Sequence, residues 1–308
     1  MKRGKRLLPG DTIGVVAPAG FTDPDTTATG IQRLEAMGYA VRLGESCQSR
    51  WHSYAGSDPE RAGDVHRFFE DPDIQAIICL RGGYGSLRLL DLLDWDLITA
   101  HPKPFVGYSD ITVLHVALNQ RCGLITFHGP MLASTLACDP DPETLHWFEQ
   151  SINRGYQPYP IFNPSGQPLQ ALSGGIACGR LIGGNLISLM SLLGTTYEPD
   201  LQGKILFIEE IKEATYRIDR ALTQLLLSGQ LNQVAGIILG NFKDCNPSDP
   251  EDMSLDDLFS DRLGSLGIPV IANLGSGHCR PLITLPLGAM VRIDACRLTI
   301  EVLENVVE

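Results

Sequence analysis

Pro104-Phe105-Val106-Gly107-Tyr108-Ser109-Asp110-Ile111-Thr112 joins a short apolar run to an apolar-periodic segment carrying Val113, Leu114, Val116, Ala117 and Leu118. The pattern predicts a strand, a sharp turn and a helix, with Ser109 at the corner. A serine on such a bend exposes its hydroxyl beside a helix N-terminus, as in a nucleophile elbow. The usual elbow has glycine on both sides of the serine, and here Ile111 stands where the second would be. The same residues also suit a plain helix cap, because Ser and Asp are favoured at N-caps.

The flanking sequence repeats the alternation. Compact apolar runs at 12–18 (TIGVVAP), 39–43, 74–80 (IQAIICL) and 124–127 read as strands. Between them, residues 25–37 have helical spacing closed by Gly38, and Ser57-Asp58-Pro59-Glu60 is a capping box that opens a helix through Val65, Phe68 and Phe69. A further helix is expected around 87–93. Apolar strands alternating with amphipathic helices argue for an α/β fold with a parallel sheet covered on both faces. Such folds place their sites at the strand ends. Three loops fall there: Pro18-Ala19-Gly20, Arg81-Gly82-Gly83-Tyr84-Gly85 and residues 107–110.

The chain has 308 residues, which favours two domains. After a helix near 143–152, the stretch to residue 175 carries Pro158, Pro160, Pro164 and Pro168 and reads as a linker. The expected division is a first domain at 1–155, a linker at 156–175 and a second domain at 176–308. In the second half, Arg180-Leu181-Ile182-Gly183-Gly184-Asn185 leads into a helical stretch at 186–193. Strands are expected at 204–208 (KILFI), 236–239 and 269–274, with helices at 216–227 and 255–263. Two further short strands, 289–293 and 297–303, should meet in a turn near Ala295. This mixture suggests a small mixed α/β or barrel-like domain.

With 36 acidic and 24 basic side chains the formal net charge is −12, and no basic block is long. A nucleic-acid surface needs clustered Lys and Arg, so that partner is disfavoured. Eight cysteines occur without a Cys-x-x-Cys pair, in a chain whose start lacks the apolar core of a secretory signal, so reduced thiols and a cytoplasmic location are expected. No stretch approaches the ~20 apolar residues of a membrane span.

A serine nucleophile needs a general base and a carboxylate to orient it. Among seven histidines, His66, His115 and His146 lie in helical patterns, and His52 and His101 sit in polar loops. His128 follows a strand in a Gly-Pro context and could line a cleft. His278 follows an apolar strand through Gly275-Ser276-Gly277, a flexible lead that should let it project. Glu209 and Glu210 close a strand, where alternation places them on opposite faces, so their roles should differ. The chain order Ser109, Glu209, His278 is nucleophile, acid, base, with a site expected between the two domains. Residues 81–86 are glycine-rich but form neither a P-loop nor a dinucleotide fingerprint. Their backbone N–H groups, with that of Asp110, could instead form an oxyanion hole. No His or Cys cluster offers a metal site.

Taken together, these residues resemble the LD-carboxypeptidase family of serine peptidases. Its members include muramoyltetrapeptide carboxypeptidases and microcin C self-immunity peptidases. The resemblance runs through Pro9-Gly10-Asp11, Arg81-Gly82-Gly83-Tyr84-Gly85, Gly107-Tyr108-Ser109-Asp110 and Thr126-Phe127-His128-Gly129-Pro130. It continues in Phe207-Ile208-Glu209-Glu210, Tyr216-Arg217-Ile218-Asp219-Arg220 and Gly277-His278. The family often has Glu-Asp where this chain has Glu209-Glu210. The resemblance implies a Rossmann-like, flavodoxin-like first domain and a smaller second domain of swivelling β-barrel type. It implies a Ser109-Glu209-His278 triad, homodimers, and neither metal nor cofactor. The implied reaction cleaves the amide between an L-centre and the C-terminal D-alanine of a murein tetrapeptide. Gly83 and Asp110 are the expected oxyanion donors, and Arg81, Tyr84, Tyr216 and Arg217 the expected substrate contacts. An amidase acting on an acyl-sulfamoyl nucleotide is the alternative. Only Trp51, Trp95 and Trp147 are present, all in the first half, which favours the murein peptide. A non-catalytic binding module of the same fold is the other class of reading, and the absent dinucleotide fingerprint speaks against a dehydrogenase.

Overall fold

Capped helices alternate with short buried strands through the first half of the chain. The order is β1 (Thr12–Val16), α1 (Pro24–Ala36), β2 (Ala40–Leu43), α2 (Asp58–Glu70), β3 (Ala76–Cys79), α3 (Trp95–Ala100), β4 (Phe105–Gly107), α4 (Thr112–Arg121), β5 (Thr126–His128) and α5 (Pro142–Ile152). The second half adds β6 (Tyr159–Ile161), β7 (Gln170–Ser173), β8 (Ile176–Asn185), α6 (Leu186–Met190), β9 (Ile205–Ile211), α7 (Thr215–Leu227), β10 (Gly236–Lys243), α8 (Leu255–Leu263), β11 (Val270–Ala272), β12 (Leu285–Leu287), β13 (Met290–Asp294) and β14 (Thr299–Val302). The structure is a computed structural model that describes residues 1–154, 157–164, 166–247, 249 and 251–308. The described residues form two compact units, Met1–Gln157 with Thr284–Gly288 and Asn305–Glu308, and Pro158–Ile283 with Ala289–Glu304.

In the first unit the sheet order is β12-β5-β4-β3-β1-β2. All pairings are parallel except that of β12 with β5. The order 2-1-3-4-5 is flavodoxin-like, with its switch point between β1 and β3. Every residue of β3, β4 and β5 is buried, the continuous burial of strands covered on both faces. Local signals set the helices. Asp23 caps α1 by accepting the Thr26 N–H at 2.8 Å, and Glu60 accepts the Ser57 N–H at 2.7 Å to open α2. Lys103 is buried and donates to Phe68 O at 2.7 Å and to Asp71 O, satisfying carbonyls at the end of α2. The expected helix at 87–93 is a 3₁₀ segment, Ser86–Leu92.

The second unit carries an eight-stranded mixed sheet, β6-β14-β13-β8-β9-β10-β11-β7. Strands β8 to β11 run parallel, flanked by antiparallel pairs. Two parts of this arrangement differ from the sequence reading. Of the expected linker at 156–175, Tyr156 and Ser165 lie outside the described residues, as does Gly155 before it, but β6 and β7 occupy much of the rest. These are the terminal strands of the row, where Pro160 is tolerated because an edge strand can spare a ladder N–H. The expected second domain at 176–308 also includes two segments that belong to the first unit: β12, which pairs with β5, and residues 305–308, where Arg6 N–H donates to Glu308 O at 2.8 Å. Pro286 within β12 marks it, too, as an edge strand. The helical stretch at 186–193 is shorter than expected and ends with α6 at Met190. Among the described residues no helix is long and apolar enough to cross a membrane.

Candidate active site

The end of β4 is held before it turns. His115 on α4 is fully buried with Nε2 2.9 Å from Gly107 O. Burial pushes its pKa down to about 4, so the ring is neutral and donates to that carbonyl. The chain then swings through Ser109 with φ +65°. A left-handed backbone costs an L-residue about 1–2 kcal/mol, which marks Ser109 as a strained corner. A 3₁₀ turn, Ser109–Ile111, leads directly into α4. The missing second glycine of the elbow has a steric explanation. A Cβ on Gly107 would stand 2.9 Å from Ile111 Cγ2, so a bare position 107 leaves room for a large one at 111.

The expected side-chain cap is not formed. The N-cap of α4 is Ile111, without a side-chain bond, so neither Ser109 nor Asp110 caps this helix. The Asp110 carboxylate accepts the N–H of Ser86 at 2.9 Å instead, tying the elbow to the glycine-rich loop. Burial raises the pKa of Asp110, against the opposing pull of that hydrogen bond and of the Arg61 charge. The loop itself lies close over the serine. A Cβ added at Gly82 would lie 2.9 Å from Ser109 Cβ and 3.1 Å from its Oγ. Gly82 O accepts the Gly20 N–H at 3.2 Å, so the loops after β1 and β3 are joined here. Gly83 follows with φ +116°.

Arg81 and Tyr84 face the same hollow. A cavity of about 480 Å³ is lined by Gly20, Phe21, Arg50, Arg81, Gly83 and Tyr84, among others. Arg81 Nη1 donates to Phe21 O at 3.2 Å. Arg50, which the sequence reading passed over, stands 4.1 Å above the Phe21 ring. The Tyr84 ring is exposed, 4.8 Å from that of Tyr54, which stacks on Trp51 at 5.8 Å. His128, considered as a cleft residue, is fully buried with its ring 5.8 Å from Tyr108.

In the second unit, β9 ends in Ile208-Glu209-Glu210-Ile211, and alternation separates the two acids as expected. Glu209 is fully buried, and its Oε2 lies 2.7 Å from His278 Nδ1. Glu210 faces the other way. It accepts Asn185 Nδ2 at 2.7 Å and the N–H groups of Ile187 and Ile211, each at 2.9 Å. Burial raises the pKa of Glu210, and the neighbouring Glu209 adds to the rise. Glu209 is therefore the carboxylate bonded to the histidine, while Glu210 braces the junction of β8 and α6 with the cap residue Asn185.

The lead into His278 is stapled rather than flexible. Ser276 is buried, its hydroxyl donates to Ile283 O at 2.8 Å, and its carbonyl accepts Asn241 N–H at 2.8 Å. The bare Gly277 lets Glu209 approach, since a Cβ there would sit 2.7 Å from Oε2. Tyr216 and Arg217 are adjacent at the start of α7 and meet through Arg217 Nε and the Tyr216 hydroxyl at 3.1 Å. They line a cavity of about 330 Å³ with Glu213, Arg220 and Met190.

Comparison with known proteins agrees with these two halves. The profile of the LD-carboxypeptidase N-terminal domain matches residues 13–129, and that of the C-terminal domain residues 178–293. The chain is 41% identical to a probable murein peptide carboxypeptidase of Bacillus subtilis, over 96% of this chain and 92% of that one. A muramoyltetrapeptide carboxypeptidase structure from Oxalobacter formigenes superposes with a TM-score of 0.84 at 30% identity, covering 94% of this chain and 97% of that one. The structure of MccF in complex with glutamyl sulfamoyl guanosine gives 0.93 at 26% identity, covering 99% of each. The chain belongs to the LD-carboxypeptidase family.

Proposed function

We propose that this chain is a serine-type LD-carboxypeptidase that releases the C-terminal D-alanine of a murein tetrapeptide. The observation that carries the proposal is Ser109 at φ +65°, a strained serine against a glycine-rich loop at the head of a helix. In this reading Ser109 Oγ attacks the amide carbonyl and His278 Nε2 takes its proton. The Glu209–His278 hydrogen bond of 2.7 Å holds Nδ1 as the donor, which assigns the acceptor lone pair of the neutral ring to Nε2. The N–H groups of Gly83 and Asp110 stabilise the oxyanion. His278 then protonates the leaving D-alanine nitrogen, and water hydrolyses the acyl-enzyme with the same histidine as base. Arg81, Tyr84, Tyr216 and Arg217 are assigned to the substrate, with the two arginines available for its terminal carboxylate. No step calls on a metal or cofactor. The proposal extends to a homodimer, as the resemblance implies, and to work in the cytoplasm, as expected from the sequence.

The likeness to MccF favours a second reading, hydrolysis of an acyl-sulfamoyl nucleotide by the same nucleophile. Turnover of a tetrapeptide ending in an L-centre and D-alanine, set against turnover of an aminoacyl sulfamoyl nucleotide, separates the two. Ser109→Ala should lower kcat by about a million-fold on the preferred substrate, because the nucleophile acts with its partners as a unit. Near-normal kcat in that variant rules out both readings.

A further inference from the structure

We propose that Arg61 is a positioning residue, a buried guanidinium that sets the glycine-rich loop over Ser109 and so the oxyanion site. This rests on the reading of Ser109 as the nucleophile. Arg61 lies on α2 in register with Val65, Phe68 and Phe69, and it is fully buried. An arginine in that register would ordinarily face the core at a large desolvation cost, so its partners are informative.

Nη1 donates to two carbonyls, Pro18 O in the loop after β1 and Gly85 O at 3.2 Å in the loop after β3. Nη2 donates to Asp58 on the first turn of α2. The guanidinium carbon stands 4.9 Å from the centroid of the Tyr54 ring. Nη1 thus bridges the two loops that leave the adjacent strands β1 and β3, at the switch point of the sheet, while the other arm of the planar fork ties them to α2.

The contact continues to the nucleophile. The residue after Gly85 is Ser86, whose N–H is the donor to Asp110 Oδ2 at 2.9 Å, and Asp110 follows Ser109. Gly85 has φ +121°, and a Cβ there would stand 2.6 Å from Tyr54 Cδ1 and 3.1 Å from Arg61 Nη1. The loop is gripped at Gly85 by Arg61 and at Ser86 by Asp110. Between this grip and the Gly20–Gly82 hydrogen bond lies Gly83, the proposed oxyanion donor. Asp58 is further paired with Arg88, through Nε at 2.9 and 3.0 Å, so its orientation toward Arg61 is fixed from outside.

A lysine in place of Arg61 keeps the charge near Asp58 but offers one nitrogen, on a shorter stem, for the three acceptors that Nη1 and Nη2 share between them. The test compares Arg61→Lys, Arg61→Ala and Gly85→Ala with the wild type, each checked by melting temperature. The readouts are kcat and KM for the tetrapeptide and the rate of Ser109 labelling by a fluorophosphonate, which needs the oxyanion site but not the peptide.

Loss of one oxyanion donor typically costs 100-fold or more. Arg61→Lys should therefore lose about 100-fold in kcat and in labelling rate, with KM within about three-fold. Added ethylguanidinium should restore part of the loss in Arg61→Ala. Gly85→Ala should reproduce the kcat loss with Arg61 intact, and it carries the test should both Arg61 variants fail to fold. Folded Arg61→Lys or Gly85→Ala with wild-type kcat and labelling overturns the proposal, as does a loss in Arg61→Ala that ethylguanidinium leaves unchanged. A wild type that labels at Ser109 but releases no D-alanine instead overturns the proposed substrate. The labelling rates of the variants then still decide the role of Arg61.

Discussion

At Ser109 a side chain is held where the backbone would prefer glycine. That strain has a measurable size. Ser109→Gly should raise stability by about 1 kcal/mol, because glycine relieves the left-handed conformation, while abolishing turnover. Thermal unfolding checks the first effect and D-alanine release the second; a Ser109→Gly protein that melts at or below the wild-type temperature contradicts the strain. Behind the corner, His115 makes a separate prediction. Its pKa in the folded protein is about 4 and its ordinary value 6.5, so between those values the unfolded chain binds the extra proton. Its contribution to stability is complete above pH 6.5 and is lost as the pH falls toward 4, by about 3 kcal/mol. His115→Gln keeps a donor for Gly107 O and should flatten acid unfolding across that window. Superimposable wild-type and His115→Gln curves would refute the assignment.

Within β9, the two-residue repeat of a strand turns one acid to His278 and its neighbour to Asn185. Glu209→Gln should lower kcat by about 10,000-fold with a small change in melting temperature, since it disturbs the tautomer and orientation of His278. Glu210→Gln should do the reverse. It presents an amide nitrogen to donors at Asn185, Ile187 and Ile211 and should cost about 1–3 kcal/mol of stability, with kcat changed less than ten-fold. Parallel kinetics and denaturation of the two variants read both effects, and equal kcat losses would remove the distinction. The turning of the two acids to opposite sides was legible from alternation alone, since it depends on neighbours in sequence. The role of Asp110 was not, because its partner Ser86 is 24 residues away. Arg61 was overlooked although a signal was present. It occupies the i position of an i, i+4, i+7 apolar face with Val65 and Phe68, a register in which a charge calls for explanation.

Across the molecule, the parallel sheet of the first unit could be read from apolar runs separated by helical periods, since burial on both faces writes itself into each strand. The edges could not. Strands β6 and β12 contain prolines that composition reads as linker or loop, and β12 pairs with β5 across more than 150 residues of chain. The order of pairing at an edge is set by tertiary contacts that no local pattern encodes. The proposed mechanism turns on Ser109, the strained serine beneath the glycine-rich loop. The direct measurement is free D-alanine released from a murein tetrapeptide by purified wild type and by Ser109→Ala. The account predicts steady release by the wild type, unaffected by chelators, with acid-quenched protein carrying the tripeptidyl acyl group on Ser109, and neither release nor adduct in the variant. Release by Ser109→Ala at a rate near that of the wild type would contradict it.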